Sequence, residues 1–524
     1  MSAIFKSPPI LLTALVIFAG GLSLFFFSSQ SLRLDEAQSL WQTSRAPVDI
    51  ATIVAKDVHV PLYHFLLYGW RLLFGGGVET ARMLSLLFYL LSIPALYALG
   101  KLAYNKEAGL FAAALFAISP FMNWYGNEIR MYTLFTLLVI LNQYFFIKLW
   151  KSARHTDSAS SGAALYAVTA ILGMYSHYFF FLVLAGQAVF YFLRRQIFPR
   201  GTLRKLITSW MLVALALLPW GYYVYSIGEV QNQEPLLQAP TSIILFNAFS
   251  QFLFGFQADH INTVFLSLWP IAVILAFLAL RKRHGGISPE TEYFFLTVML
   301  STALAFGISL TFHPVFTSRY LILAVPSLYL LVTSVFSLYP ERAARFARGA
   351  ALFVMAATLI IELFSPTTPV KENYREAAQY LTAHAGGADV ILLSAPFTIY
   401  PIEYYYRGAA PIRTLPLWNR YAFGPIPPFI PDKFPGEVAQ ATQANQNAWI
   451  LLSYDQGYQE DIRLYFDTHY QRTDERVFSP GLTLYKYKLR YDTPLSERSK
   501  KSIEKSLGGD VPKFAEQILG LRTF

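Results

Sequence analysis

Apolar stretches about twenty residues long recur along the first 364 residues, and a chain built that way has few options. Hydrocarbon offers no water to satisfy open backbone groups, so each stretch must cross as a helix. Such segments lie near residues 9–28, 80–100, 107–124, 129–149, 162–176, 178–193, 206–225, 262–280, 291–311, 320–339 and 349–364. The expectation is therefore an α-helical polytopic membrane protein with about 11 transmembrane helices. Composition agrees: 14% of the 524 residues are charged, against about 25% in ordinary soluble domains. Mean hydropathy is +0.39.

The net charge of +10 does not point to nucleic acid, and no nucleic-acid partner is expected. Its Lys and Arg gather in short loops between spans: Lys101 and Lys106; Lys148, Lys151 and Arg154; Arg194, Arg195, Arg200, Arg204 and Lys205; Arg281, Lys282 and Arg283; Arg342, Arg345 and Arg348. Basic loops mark the cytoplasmic side. With the N-terminus inside, these clusters share one side, and the 29–79 loop, the Asn127–Arg130 turn, His177, the 226–261 loop and Arg319 share the other. Lys6 is followed by a span without a small-residue cleavage site, which reads as a retained first helix. The location expected is the cell (inner or plasma) membrane. Cysteine is absent, which excludes disulfides, thiolate catalysis and Cys-ligated metal.

Past Pro366 the pattern changes. Residues 371–385 read as an amphipathic helix, 389–395 and 448–454 as buried strands, 459–469 as a helix and 481–488 as an alternating strand. Residues 408–436, rich in Pro and aromatics, read as a long ordered loop. The expected division is a transmembrane module over 1–365, a small extracytoplasmic α/β domain over 366–490, and a polar tail over 491–524.

Asp35 and Glu36 stand just after the first span, where adjacent carboxylates do nothing for insertion. Asp35 could instead be an N-cap of a surface helix, but a cap requires no second acid. The loop goes on through Asp57, His59, Pro61, Tyr63 and His64. Residues 61–73 read as an amphipathic helix in the interface, anchored by Tyr63, Trp70 and Arg71. Asp57 and His59 with Asp35 leave a divalent metal open, although the signal is weak without Cys or a spaced His pair. In NEIRMYTL, Glu128 and Tyr132 are four apart and would share a helix face, with Arg130 elsewhere. Arg82 and Arg319, beside apolar helices, each need an anion, either a carboxylate or a lipid phosphate. His313 and Tyr320 flank Arg319. No Walker A, GxGxxG, GxSxG or HExxH motif is present.

These residues resemble the GT-C superfamily of membrane glycosyltransferases. Within it they are most similar to bacterial members of glycosyltransferase family 39, related to protein O-mannosyltransferases and lipid A aminoarabinose transferases. The resemblance rests on the acidic pair Asp35–Glu36, on His59-Val60-Pro61-Leu62-Tyr63 for an HPPLY element, and on Asn127-Glu128-Ile129-Arg130-Met131-Tyr132 for QEARMY. It rests also on Arg319-Tyr320 and on the opening Tyr374-Arg375-Glu376-Ala377-Ala378-Gln379-Tyr380-Leu381 of the soluble domain. Val60 and Asn127 depart from the pattern without removing an ionisable group, and the first loop has no Asp-x-Asp motif.

The resemblance implies an inverting transfer of a sugar from a polyprenyl-phosphate donor to an acceptor hydroxyl on the outer face. The acceptor would be a lipid, glycan or protein. It assigns catalysis to Asp35, as base, and Glu36. It assigns substrate binding to Asp57, His59, His64, Arg82, Glu128, Arg130, Tyr132, His313, Arg319 and Tyr320, with Arg319 on the phosphate. A lipid-linked glycan ligase or polymerase would show a large outer loop with Arg and His near its end. The 226–261 loop has one His and no Arg. A transporter would carry mid-bilayer charges and repeated halves.

Overall fold

The computed structural model describes residues 7–27, 30–57, 59–151, 158–228, 239–267, 287–337, 339–364, 372–422, 426–443 and 445–489. It divides into two compact units, one of residues 1–371 with 421–425, the other of 372–420 with 426–524.

The first unit is helical. Helix α1 (Pro8–Phe27) opens it, followed by three short helices, α2 (Leu34–Gln42), α3 (Pro47–Lys56) and α4 (Leu62–Phe74). Next come α5 (Val78–Ala103), α6 (Lys106–Ala117), α7 (Pro120–Gly126), α8 (Tyr132–Lys151), α9 (Ser158–Ser176) and α10 (Phe180–Leu193). The series ends with α11 (Thr202–Ile227), α12 (Ser242–Phe254), α13 (Pro289–Thr311), α14 (Val325–Phe336) and α15 (Glu341–Phe364). Among the described residues six helices are long and apolar enough to span a bilayer, or seven if the pair α6–α7, bent by 61°, counts as one.

The bend has a local cause: Ser119 accepts a hydrogen bond from the Met122 amide at 3.1 Å and Pro120 takes the first helical turn, so a new helix starts there. The segment expected at 320–339 is also broken, with a 3₁₀ turn (Tyr320–Ala324) leading into α14. The segments at 162–176 and 178–193 form helices shorter than a full span. Most of the segment expected at 262–280 lies outside the described residues. Within 226–261 there is apolar α12, which reading that stretch as a loop had missed. Helix α4 keeps Phe65, Leu66, Leu72, Leu73 and Phe74 exposed, as an interfacial helix should. Its expected anchors bind protein: the Trp70 indole donates to the Thr80 carbonyl at 2.8 Å, and Arg71 to the Leu40 carbonyl at 2.9 Å.

Helices α5 and α6 meet at glycine. A Cβ on Gly100 would lie 2.7 Å from the Gly109 Cα, so only glycine permits this approach. Acids in the first turn of α13 meet basic helix ends: Lys151 Nζ lies 2.8 Å from Glu290, and Arg194 pairs with Glu292.

The second unit is an α/β domain. A five-stranded sheet has the order β2-β1-β3-β5-β4, from β1 (Asp389–Ser394), β2 (Ile412–Thr414), β3 (Asn447–Ser453), β4 (Gln471–Ser479) and β5 (Leu482–Lys488). Strand β1 runs parallel to β2 and β3, while β5 is antiparallel to both β3 and β4. Alternate residues Val390, Leu392, Ala448, Ile450 and Leu452 join side chains of α18 (Phe434–Thr442) and α19 (Gln459–His469) in one core, after α16 (Tyr374–His384) and α17 (Ile399–Tyr405) earlier in the chain. The expected strands and helices are present within a few residues. The structure adds β2 and the start of α18 within 408–436, and β4, whose residues QRTDERVFS are too polar to read as a strand.

Candidate active site

Helix α2 presents Asp35 and Glu36 in its first turn, and the two carboxylates meet different fates. Both Glu36 oxygens bond to Arg82, from Nε and Nη2, each at 2.9 Å, and neither side chain is exposed. Glu36 also accepts the backbone amides of Arg33 (2.9 Å) and Ile129 (3.2 Å). Arg82 donates further to the carbonyls of Gln30 (3.1 Å) and Ser31 (3.0 Å). Glu36 thus ties the start of α2, the 127–131 turn and α5 together. Its lone pairs are committed to these bonds, which suits it to hold the site rather than to react. The anion that Arg82 needed is a carboxylate, Glu36.

Asp35 is open. Its Oδ2 accepts from Arg319 Nη1 at 3.1 Å across 284 positions, with Asp35 26% and Arg319 35% exposed. Burial alone would push the Asp35 carboxyl up, but the guanidiniums of Arg130, Arg319 and Arg33 outweigh it and hold the group well below the usual carboxylate range.

Residues 127–131 form a turn between α7 and α8, so Glu128 and Tyr132 do not share a helix face as the spacing suggested. Glu128 instead meets Arg33 at 3.4 Å, and the Arg33 guanidinium lies 5.4 Å from the centre of the Trp124 ring. Arg130 donates to His59 Nε2 at 2.7 Å and to Ser39 Oγ at 3.3 Å. A guanidinium only donates, so His59 Nε2 carries a lone pair and the ring is neutral. The 3.9 Å approach of Asp57 to the same nitrogen is therefore no ion pair. Burial and Arg130 keep His59 well below the usual imidazole range.

Asp57 Oδ2 accepts from Gln42 (3.1 Å) and Gln38 (3.3 Å), and His64 Nε2 meets Gln42 Oε1 at 3.0 Å. Burial lowers His64 to about 3. Among the described residues no group of three or more His, Asp or Glu could hold a metal ion.

An aromatic wall stands beside these charges. Tyr132 packs edge-on against Tyr125 at 4.9 Å, and His177 lies 5.2 Å from Tyr320 and 4.8 Å from Phe135. The hydroxyl of Tyr132 and the Nε atoms of Arg319 and Arg130 are buried with no hydrogen-bond partner among the described residues. Donors left so cost about 1–3 kcal/mol each, and a bound ligand would relieve them.

His313 is the outlier among the residues picked from sequence, exposed in the stretch after α13. Sequence reasoning passed over Arg33 and His177 as site residues. Arg33 stood next to the acidic pair, and His177 was a lone histidine between two apolar helices.

Residues 58–223 match the family described as dolichyl-phosphate-mannose-protein mannosyltransferase. No curated protein sequence gives a match. Among solved structures the chain is similar to ArnT from Cupriavidus metallidurans in the apo state, at 12% identity and a TM-score of 0.59 over 91% of this chain and 97% of that one. The same enzyme bound to undecaprenyl phosphate matches at 12% and 0.59, over 94% and 100%. The Archaeoglobus fulgidus oligosaccharyltransferase in complex with Zn and sulfate matches at 13% and 0.50, over 95% and 76%. At such identities the likeness is one of fold. The chain thus shares the fold of ArnT, and its residues 58–223 carry the match to that mannosyltransferase family.

Proposed function

We propose that the protein transfers a sugar from a polyprenyl-phosphate donor to an acceptor hydroxyl at the outer face of the cell membrane, with inversion at the anomeric carbon. The observation that carries this reading is the meeting of Asp35 with Arg319, a base and a phosphate-binding cation brought together from 284 positions apart. Asp35 takes the proton of the acceptor hydroxyl as its oxygen bonds to the anomeric carbon. The bond from that carbon to the phosphate oxygen breaks, and the electron pair leaves with the phosphate, which Arg319 stabilises. Phosphate leaves as an anion, so no general acid is required.

A free Asp, at a pKa of about 3.9, is a weak base, and a depressed one weaker still. Positioning and concerted proton transfer must supply the difference. The Tyr132 hydroxyl and Arg130 Nε, without a partner among the described residues, suit sugar hydroxyls. Glu36, Arg82, His59 and Glu128 hold the groups that react. The undecaprenyl phosphate bound to ArnT, a structure of similar fold, supports a lipid-phosphate donor. The test is to incubate membranes carrying the protein with a panel of radiolabelled polyprenyl-phosphate sugars. Consumption of one of them, absent with Asp35→Asn, is expected; no consumption of any would sink the reading.

A further inference from the structure

The contact between Asp35 and Arg319 cannot persist during the reaction just proposed, on which this inference rests. In an inverting displacement the base and the departing phosphate lie on opposite sides of the anomeric carbon. The base sits about 3 Å from the acceptor oxygen, which sits about 3–3.5 Å from the carbon, and the phosphate lies beyond. A cation bonded to that phosphate is then on the order of 6–10 Å from the base. In the structure the two groups touch at 3.1 Å.

We propose that the donor phosphate takes Arg319 from Asp35, so that Asp35 competes with the donor for this arginine before it acts as base. The local structure permits the exchange. Arg319 stands in the turn before the 3₁₀ stretch Tyr320–Ala324, outside any α-helix, where its side chain can swing without disturbing a helical ladder. Both side chains keep partial exposure, so neither is stranded in a dry environment when the pair opens. The neighbouring pair Glu36–Arg82 is the contrast: fully buried, bidentate and tied to four further backbone groups, it has no route to open. When Arg319 leaves, Arg130 and Arg33 still compensate Asp35. The freed carboxylate remains ionised and turns to the acceptor. The exchange also orders the reaction: the base becomes available once a donor phosphate is present.

A distinctive consequence follows. Removing the Asp35 charge should tighten donor binding, whereas a residue that acts as base alone would leave it unchanged. The experiment measures the affinity of the full chain in detergent for undecaprenyl phosphate, with undecaprenol as the uncharged control. The variants are Asp35→Asn, Arg319→Ala and the double substitution, with monodispersity and thermal midpoint checked for each. Asp35→Asn is expected to bind undecaprenyl phosphate about tenfold more tightly, the scale of one charge-assisted hydrogen bond, and undecaprenol no differently. In the Arg319→Ala background the gain should shrink to a small fraction. An unchanged affinity in Asp35→Asn overturns the exchange and leaves the proposed function standing. So does a gain that persists in full without Arg319, because that would be plain charge repulsion. Should the wild-type chain not prefer undecaprenyl phosphate to undecaprenol, the donor class itself is wrong. Arg319→Gln removes the charge while keeping most of the side chain's bulk, and serves if the alanine variant does not fold.

Discussion

Glu36 and Arg82 form a bidentate pair 46 positions apart, with both N···O distances 2.9 Å and neither side chain exposed. One residue earlier, Asp35 meets a different arginine in a half-open contact. Adjacent carboxylates on α2 therefore divide into one sealed in a buried ion pair and one left partly exposed.

The sealed pair carries the first prediction. Glu36→Gln leaves Arg82 as an uncompensated buried charge, at a cost of about 3–5 kcal/mol. The expected outcome is a marked fall in thermal midpoint in detergent, measured by intrinsic fluorescence. A midpoint within a degree or two of wild type would mean that the pair does not hold α2 to α5.

Asp35→Asn keeps shape and removes the proton acceptor of the proposed reaction. Single-turnover rates should fall by about 10²–10⁴-fold, since positioned acid–base catalysis contributes that much. The thermal midpoint should change far less than in Glu36→Gln. Retention of more than about a tenth of the rate would make Asp35 a ligand and not the base.

The pH dependence follows from the direction of the Asp35 shift. Cations hold the carboxyl below its ordinary value, so it stays ionised at neutral pH, and the stability it lends is lost only as pH falls below about 4. Arg33→Gln removes one of those cations and raises the carboxyl. The acid limb of kcat/KM should then move to higher pH than in wild type. An unmoved limb would exclude Asp35 as its source.

Buried neutral histidines act in the opposite sense. His64 and His177 are both lowered to about 3, chiefly by burial, whereas an unfolded histidine titrates near about 6.5. Below that value the unfolded chain binds protons that the folded chain does not, so stability falls as pH drops. At pH 5.5 the loss is on the order of 1 kcal/mol for each group. The thermal midpoint should decline between pH 7 and 5.5, and His177→Phe should make the decline shallower. A midpoint flat over that range would refute the burial argument.

Topology is open to a direct check. Reporter fusions after positions 155, 200 and 345 should read cytoplasmic, and one after 500 external, given the one-sided basic loops. A cytoplasmic signal after 500 would put the α/β domain on the wrong side for the proposed reaction.

The sequence by itself determined what bulk physics determines. Hydrocarbon thickness and backbone satisfaction set the length of each span, so α1, α5, α8 and α13 were readable from apolar runs alone. In the α/β domain, period-2 alternation and amphipathic spacing sufficed for β5 and α19. Where the local pattern was silent, so was the reading. The polar β4 owes its strand to pairing with β5, and α12 lay in a stretch that spacing had marked as a loop. The acidic pair and Arg319 stood out as residues with no reason to be at a membrane boundary. Which arginine each carboxylate meets was decided only by the packing of α2 against α5 and against the turn that begins at Arg319, because an ion pair between residues 46 or 284 positions apart is a property of the folded chain and leaves no local trace.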